Sequence, residues 1–223
     1  MKIDYNIIYS KRRTVNIEFK NKQIITVRAP KNYPKERIED IVEKKKLWIY
    51  KQLKKNSFRT YNNKKEFITG ETLLFLGKGY ELQVTENEFR GIRFNGAFQI
   101  SKKSRRQAKS IFRQWYRQQA KEVFSHKINL FAKALGVAIN RVIIRDMRVS
   151  WGSCSPNGTI SLNWKLIKAP HFVIDYIIVH ELAHLIELNH TQKFWDLVSV
   201  LVPRYQKAKS WLSSHGYLLE IDL

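Results

Sequence analysis

Short apolar runs separated by turn residues fill the first hundred positions of the chain and predict a β-rich region. Three strands are expected first, at residues 2–9, 14–20 and 23–29, with Asn21-Lys22 suited to a hairpin turn. A helix at about 35–55 follows, because apolar residues recur there at helical spacing: Ile38, Ile41, Val42, Trp48, Ile49 and Leu53. Four more short strands are then expected between turn glycines, at residues 73–76, 80–85, 91–94 and 98–101.

Apolar residues at helical spacing dominate the rest of the chain, apart from one region whose pattern favours strands. A helix predicted at about 105–135 ends at Gly136 and carries one apolar face: Phe112, Tyr116, Ala120, Phe124, Ile128, Phe131 and Leu135. Residues 142–151 and 159–166 favour strands, and the turn signal at 156–158 predicts a hairpin between them. The second strand is expected to have a core face and a polar face, because two sets alternate along it: Ile160, Leu162 and Trp164, and between them Thr159, Ser161 and Asn163.

A strongly apolar segment from Pro170 to Leu185 predicts a buried helix that carries His180, Glu181 and His184. On a helix, residues four apart differ by only about 40° around the axis, so the two histidines can present their rings to one ion. Such a pair binds Zn²⁺, and the adjacent glutamate is then free to act as a base. Burying these polar groups is costly unless something pairs with them, which favours a metal site over two core histidines.

Two residues compete to be the third metal ligand. Glu187 lies on the same helical stripe as His180, but about two turns away along the axis. His190 requires the helix to stop and the chain to turn back. Asn189 suits the left-handed conformation that ends helices, and Thr191 suits the cap of a new helix at 192–201. His190 is therefore the preferred ligand, with Glu187 as an outer partner or a surface charge.

The carboxy-terminal motifs together resemble the YgjP-like metal-dependent hydrolases and the related SprT-like zinc metallopeptidases. The resemblance covers about residues 140–217 and depends on Val149–Cys154, Gly158–Asn163, the His180–His184 helix, Asn189-His190, Phe194-Trp195, and Pro203-x-Tyr205 leading to Trp211-Leu212. It implies one Zn²⁺ per chain held by His180, His184 and His190, with Glu181 as catalytic base. Glu187 stands where metzincins carry glycine, which argues against that clan although the histidine span is the same.

The same resemblance implies that the hairpin lines the substrate site, because zincins pair an extended substrate with an edge strand beside the metal. The candidate substrate-binding residues are Trp151, Ser153, Ser161 and Asn163. The donor that stabilises the oxyanion stays open among Tyr205, Arg148, Asn163 and Lys193. The predicted fold class is α+β: a zincin-like metallopeptidase domain at 102–223, with its HExxH helix packed on a small sheet, after a basic β-rich part at 1–101. One continuous unit is the alternative.

Charge is distributed unevenly along the chain. Residues 140–223 hold nine Lys/Arg and seven Asp/Glu, so about +20 of the formal net charge of +22 lies in residues 1–139. The strongest cluster is Lys102, Lys103, Arg105 and Arg106, with Lys109 after it, just before or at the start of the long helix. Such a field attracts polyanions, of which nucleic acid is the commonest. The alternative is a lysine-rich surface that serves solubility alone.

Cys154 is the only cysteine, which excludes an internal disulfide. Because the chain shows no signal-peptide pattern and no apolar run of about 20 residues, we expect a cytoplasmic protein without a membrane partner. The three histidines already meet the usual three-ligand arrangement of catalytic zinc. Cys154 is therefore expected to fill space in the core.

The function favoured by the sequence is zinc-dependent hydrolysis of peptide bonds in a protein or peptide substrate, near nucleic acid. A metal-dependent nucleotide phosphohydrolase is the alternative, because the same water and base could attack phosphorus. A lone three-histidine site lacks the carboxylates that usually hold Mg²⁺ at phosphates. A nucleic-acid-binding protein with structural zinc ranks third, because Glu181 and an open fourth position suit catalysis.

Overall fold

The computed structural model describes residues 4–20, 24–46, 49 and 65–220. Contacts divide the chain into two compact units, residues 1–63 and 64–223. This division differs from the sequence-based boundary between residues 101 and 102, because residues 67–100 contribute to the same buried core as the histidine-bearing helix. None of the described helices is long and apolar enough to cross a membrane.

The described residues of the first unit form a three-stranded sheet with a helix. Its elements are β1 (Tyr5–Ser10), β2 (Asn16–Lys20), β3 (Ile24–Pro30) and α1 (Lys35–Lys44). β3 lies in the middle, parallel to β1 and antiparallel to β2. Its side chains Ile25, Val27 and Ala29 share a core with Ile38 and Val42 of α1. These strands agree with the predicted ones. The turn at 21–22, Trp48, Leu53 and most of the predicted helix beyond residue 46 lie outside the described residues.

The second unit combines two small sheets with helices. In chain order its elements are β4 (Thr72–Phe75), β5 (Lys78–Thr85), β6 (Arg93–Phe94), β7 (Phe98–Ser101), a 3-10 helix (Lys102–Gln107), α2 (Ala108–Leu135), β8 (Arg141–Arg145), β9 (Gly152–Cys154), β10 (Thr159–Asn163), a second 3-10 helix (Trp164–Lys168), α3 (His171–Ala183), α4 (Gln192–Leu201) and α5 (Tyr205–Leu219). The strand orders are β4-β5-β7-β6 and β8-β10-β9.

α2 is the central helix of this unit. Every fourth residue along it is buried, from Ala108 through Phe112, Tyr116, Ala120, Phe124 and Ile128 to Ala132. Gly136 ends the helix with a φ of 67°, in the left-handed region where glycine has no side-chain clash. α2 packs on α3, as the sequence predicted, and Lys127 pairs with Asp175 of α3 at 2.6 Å. The central helix therefore supports the helix that carries the candidate site.

The predicted hairpin is wrong in its first strand. β9 pairs antiparallel with β10, but the run 142–151 is not one strand: β8 ends at Arg145 and pairs in parallel with the other edge of β10. The predicted polar face of β10 is also wrong, because β10 is the middle strand and packs into the core. Ser161 is 5% exposed and Asn163 is fully buried.

The turn between β4 and β5 fixes the start of α3. The N–H groups of Leu76 and Gly77 donate to the carbonyls of Ile167 and Lys168, at 2.9 and 3.0 Å. A Cβ at Gly77 would lie 2.7 Å from Pro170, so only glycine permits this close approach. Residues of the β-rich region thus hold the segment that leads into the histidine-bearing helix.

Candidate metal centre

The histidine-bearing helix ends earlier than the sequence suggested. α3 stops at Ala183, and a turn follows in which Glu187 N–H donates to the Ala183 carbonyl at 2.9 Å. Asn189 does not take the expected left-handed conformation: among the described non-glycine residues, only Phe67 and Leu76 have a positive φ. The early end lets the chain turn back within a few residues, and this turn brings His190 beside the helix.

Three histidine rings converge at this turn. The candidate ligand nitrogens of His180, His184 and His190 all lie within 4.8 Å of one another. His180 Nε2 and His190 Nε2 are 3.1 Å apart. At this separation, the two nitrogens can share a proton or coordinate the same ion. Two of the rings come from the last turn of α3 and its cap, and the third comes from the following loop. This set could hold a single metal ion.

Phe194 gives the three rings a common support. It is fully buried, and its ring centroid lies 4.7–4.9 Å from those of His180, His184 and His190. Its backbone N–H donates to the side chain of Thr191, which caps α4 as the sequence predicted. The cap therefore positions the aromatic ring on which all three histidines rest.

The protonation of the rings suits metal binding. His184 Nδ1 lies 3.2 Å from the Glu187 carbonyl, which can only accept, so Nδ1 carries the proton and Nε2 keeps its lone pair. Burial lowers the pKa of His180 to about 4 and also lowers that of His184. His180 Nδ1 is buried without a hydrogen-bond partner among the described residues. Both helix-borne rings are therefore neutral near pH 7, the form that binds metals.

Glu187, the competing third ligand, faces another partner. Its carboxylate accepts from the backbone N–H of Asn189 at 3.4 Å, and its carbonyl orients His184. No carboxylate joins the group of converging metal-ligand atoms found in the described residues. The geometry thus favours His190 over Glu187.

Glu181 lies beside the histidines and under strand β9. It is 7% exposed, and burial raises the pKa of its carboxyl to about 7. A Cβ at Gly152 would lie 2.6 Å from Glu181 Oε1, so the glycine leaves room for the carboxylate. Burial, with Glu181 nearby, also raises the pKa of the Cys154 thiol to about 11. Cys154 is half-buried against the core and stays protonated, which agrees with its expected packing role.

The four candidate substrate-binding residues have different surroundings. Ser153 lies on β9, an edge strand that contacts α3, and Trp151 immediately precedes this strand. The side chains of Ser153 and Trp151 are half-buried. Ser161 and Asn163 lie on the buried strand β10. The Asn163 amide donates to the Met147 carbonyl at 2.9 Å. Asn163 therefore ties β10 to the loop that follows β8. Ser161 and Asn163 are both too buried to contact a substrate, and the same burial removes Asn163 as an oxyanion donor.

An aromatic stack borders the site on the side of α5. The ring of Trp195 lies 5.6 Å from that of His190 and 5.1 Å from that of Tyr205, with interplanar angles of 27° and 12°. Tyr205 also stacks on Tyr176, whose edge meets His180. Lys209 Nζ lies 4.3 Å above Trp195. Tyr205 thus remains an oxyanion candidate. The sequence missed Lys209, because no local pattern indicates that its side chain reaches Trp195.

The basic cluster lies outside this centre, on the 3-10 helix before α2. Lys102 Nζ pairs with Glu86 at 2.6 Å, and Lys103 pairs with Glu88. Arg105 donates to the carbonyl of Glu66 at 3.4 Å, and Arg106 is exposed. Part of the positive charge of the cluster is therefore matched by carboxylates of the chain itself.

Two solved structures share local similarity with the chain. The metallopeptidase zymogen abylysin of Pyrococcus abyssi is 25% identical over 42% of this chain and 95% of its own, with a TM-score of 0.39. The metallopeptidase zymogen jannalysin of Methanocaldococcus jannaschii is 22% identical over 39% of this chain and 93% of its own, with a TM-score of 0.34. No curated protein sequence matches the chain.

A family match covers most of the chain and bears directly on the site. The model of the family described as YgjP-like, metallopeptidase domain, matches residues 13–215, which include the three histidines and both sheets of the second unit. The α+β, zincin-like fold and the metallopeptidase class expected from the sequence are confirmed by this match. The chain therefore belongs to the YgjP-like metallopeptidase family.

Proposed function

We propose that this protein is a zinc-dependent peptidase in which His180, His184 and His190 hold one Zn²⁺ and Glu181 is the general base. The observation that carries the proposal is the convergence of the candidate ligand nitrogens of three histidines within 4.8 Å of one another, where Glu181, which is 7% exposed, follows the first of them on α3. Three imidazole ligands with an open fourth position are the donor set of catalytic zinc. The His184–Glu187 contact supplies the outer-shell support that such ligands usually have.

Each nearby residue has a role in the proposed mechanism. When bound, Zn²⁺ supplies Lewis-acid chemistry that polarises a scissile carbonyl and acidifies water. Glu181 accepts the proton of the attacking water and passes it to the leaving nitrogen. A carboxyl whose pKa burial raises to about 7 can both accept and release that proton near neutrality. The free edge of β9 offers backbone groups to an extended peptide, which would orient the scissile bond.

We also propose that the protein binds nucleic acid as a partner. The formal net charge of +22 supports it, because a field of this size attracts polyanions and speeds their encounter with the protein. A protein substrate held on nucleic acid would then be brought to the peptidase site. The phosphohydrolase alternative has no observation of its own: no carboxylate stands among the converging metal-ligand atoms of the described residues.

The test is hydrolysis by the full chain of an unfolded protein and of nucleoside triphosphates, with and without a chelator. We expect metal-dependent cleavage of the unfolded protein alone, restored after chelation by about one Zn²⁺ per chain. His180→Ala should lose both zinc and cleavage, because it removes a ligand. His126→Ala is the matched control, since His126 is exposed on α2. Stoichiometric zinc in His180→Ala, or metal-dependent cleavage of triphosphates alone, would contradict the proposal.

A further inference from the structure

A groove of about 410 Å³ lies between α2 and the edge strand β8. Arg113, Arg117 and Lys121 line it from α2, and Ile144 lines it from β8. The three cations are exposed and four residues apart, so they share one face of the helix, with about 6 Å between neighbours along its axis. We call Arg113, Arg117, Lys121 and Ile144 the basic groove.

Among the described residues, no carboxylate forms an ion pair with the cations of the basic groove. Within residues 65–220, the ion pairs of the chain involve other basic residues. The next acid along the helix, Glu122, accepts from the side-chain amides of Gln118 and Gln119 at 2.7 and 3.3 Å. Its oxygens are thus engaged by amides, and no ion pair joins it to Arg113, Arg117 or Lys121 among the described residues. The basic groove therefore presents positive charge that the described chain does not neutralise.

The cluster that the sequence singled out is less available. Lys102 and Lys103 each pair with a carboxylate of the loop after β5, Glu86 and Glu88. A phosphate that bound these lysines would have to displace the carboxylates, whereas at the basic groove it would displace only water and counterions. Although the cluster is denser in sequence, the basic groove is the better anion site.

We propose that the basic groove binds the phosphodiester backbone of nucleic acid. Arginine suits phosphate because its planar fork can donate two parallel hydrogen bonds. From Arg113 to Lys121 is about 12 Å along the helix, which spans three to four phosphates of one strand at about 3.4 Å each. The regular spacing of the cations thus fits a continuous polyanion. This inference specifies the nucleic-acid part of the proposed function and needs neither bound metal nor hydrolysis.

Two variants of the full chain test the proposal against each other. The groove variant is Arg113→Gln with Arg117→Gln and Lys121→Gln. The cluster variant is Lys102→Gln with Lys103→Gln, Arg105→Gln and Arg106→Gln, and it removes one more charge. Binding of a labelled 20-base-pair duplex and of its single strand is measured by fluorescence anisotropy at several salt concentrations. Glutamine keeps nearly the same helix propensity, and thermal unfolding checks that the variants fold.

The groove variant should bind both nucleic acids at least tenfold more weakly, and the slope of log K against log salt should become shallower by about 2–3, as expected for about three lost phosphate contacts. The cluster variant should keep its affinity within a few-fold. The proposal would be overturned if the cluster variant lost as much affinity as the groove variant or more, or if the groove variant bound as tightly as the parent. It would also be overturned if the groove bound polyglutamate but not nucleic acid. Cleavage of a short peptide is measured alongside. If the parent did not cleave it, the proposed peptidase function would be contradicted, but the result on nucleic-acid binding by the basic groove would still hold.

Discussion

The two halves of the candidate metal centre obtain their geometry in different ways. In the buried half, His180 and Glu181 belong to α3, which is packed between α2 and β9, and Gly152 lies directly against the carboxylate. In the exposed half, His190 lies on a short turn and its ring rests on Phe194 and Trp195. Tertiary packing over many residues holds the first half, whereas a few aromatic contacts hold the second.

This difference separates two properties of the site. Changes in the buried half that leave the histidines intact should alter turnover and spare metal binding, because the carboxylate is positioned by the core. Changes in the exposed half should alter metal affinity first, because the third ligand has little else to hold it. Four substitutions test this separation, each with its own control.

The largest effect on zinc affinity is expected at His190, in the exposed half. His190→Ala should weaken zinc binding by more than the roughly 10–100-fold that loss of an outer-shell partner costs, because it removes a ligand. Glu187→Ala should have a small effect, since the carbonyl that orients His184 belongs to the backbone and survives. Competition with a chromogenic chelator measures both affinities. A greater loss of zinc affinity in Glu187→Ala would indicate that Glu187, and not His190, is the third ligand.

In the buried half, Glu181→Gln should lower turnover of a cleaved peptide by roughly 10²–10⁴-fold, the range of general acid–base catalysis. Glutamine is nearly isosteric with the carboxyl, so zinc content and thermal stability should remain those of the parent. Elemental analysis and calorimetry serve as the controls. Parental turnover would exclude Glu181 as the base, and lost zinc would make it a ligand.

Gly152→Ala tests how closely β9 holds the carboxylate. The added methyl would meet Glu181 Oε1 at 2.6 Å, so the carboxylate has to move. Displacement of a catalytic group by about 1 Å can cost around 10²-fold, and we expect a loss of turnover approaching that value with unchanged zinc affinity. Gly216→Ala is the control, because the methyl group that it adds would lie 3.7 Å from Trp151, an ordinary van der Waals contact. Equal turnover in the two variants would show that β9 leaves room for the methyl group.

Local patterns in the sequence predicted most of the strands, the central helix and the helical face that His180 and His184 share. His180 and His184 share a face because the helix repeats every 3.6 residues, and Thr191 caps α4 because its hydroxyl accepts from an N–H three residues later. Contacts of this kind depend on neighbours in the chain. They can therefore be predicted without the rest of the fold.

Pairings between distant segments were the part that the sequence did not determine. The run that begins at Val142 has the composition of a hairpin strand, but β8 pairs in parallel with β10, and nothing in the run records its partner. Asn163 looks like an exposed polar residue until β10 is known to be central and buried. Lys102 looks free until the approach of Glu86 is known. Each of these outcomes depends on tertiary packing.

The smallest effect is expected at Trp195, which supports His190 without touching the metal. Trp195→Ala removes the ring that stacks on His190 at 5.6 Å, and we expect zinc affinity to fall about tenfold, the lower range for outer-shell partners. Trp195→Phe keeps an aromatic face and should retain most of the affinity. Because alanine also removes packing against Tyr205, thermal stability of the metal-free protein is measured in parallel. If the alanine and phenylalanine variants differ in the stability of the metal-free protein but bind zinc equally, the stack contributes only to packing. If zinc affinity follows the size of the ring while stability of the metal-free protein does not, the stack positions His190.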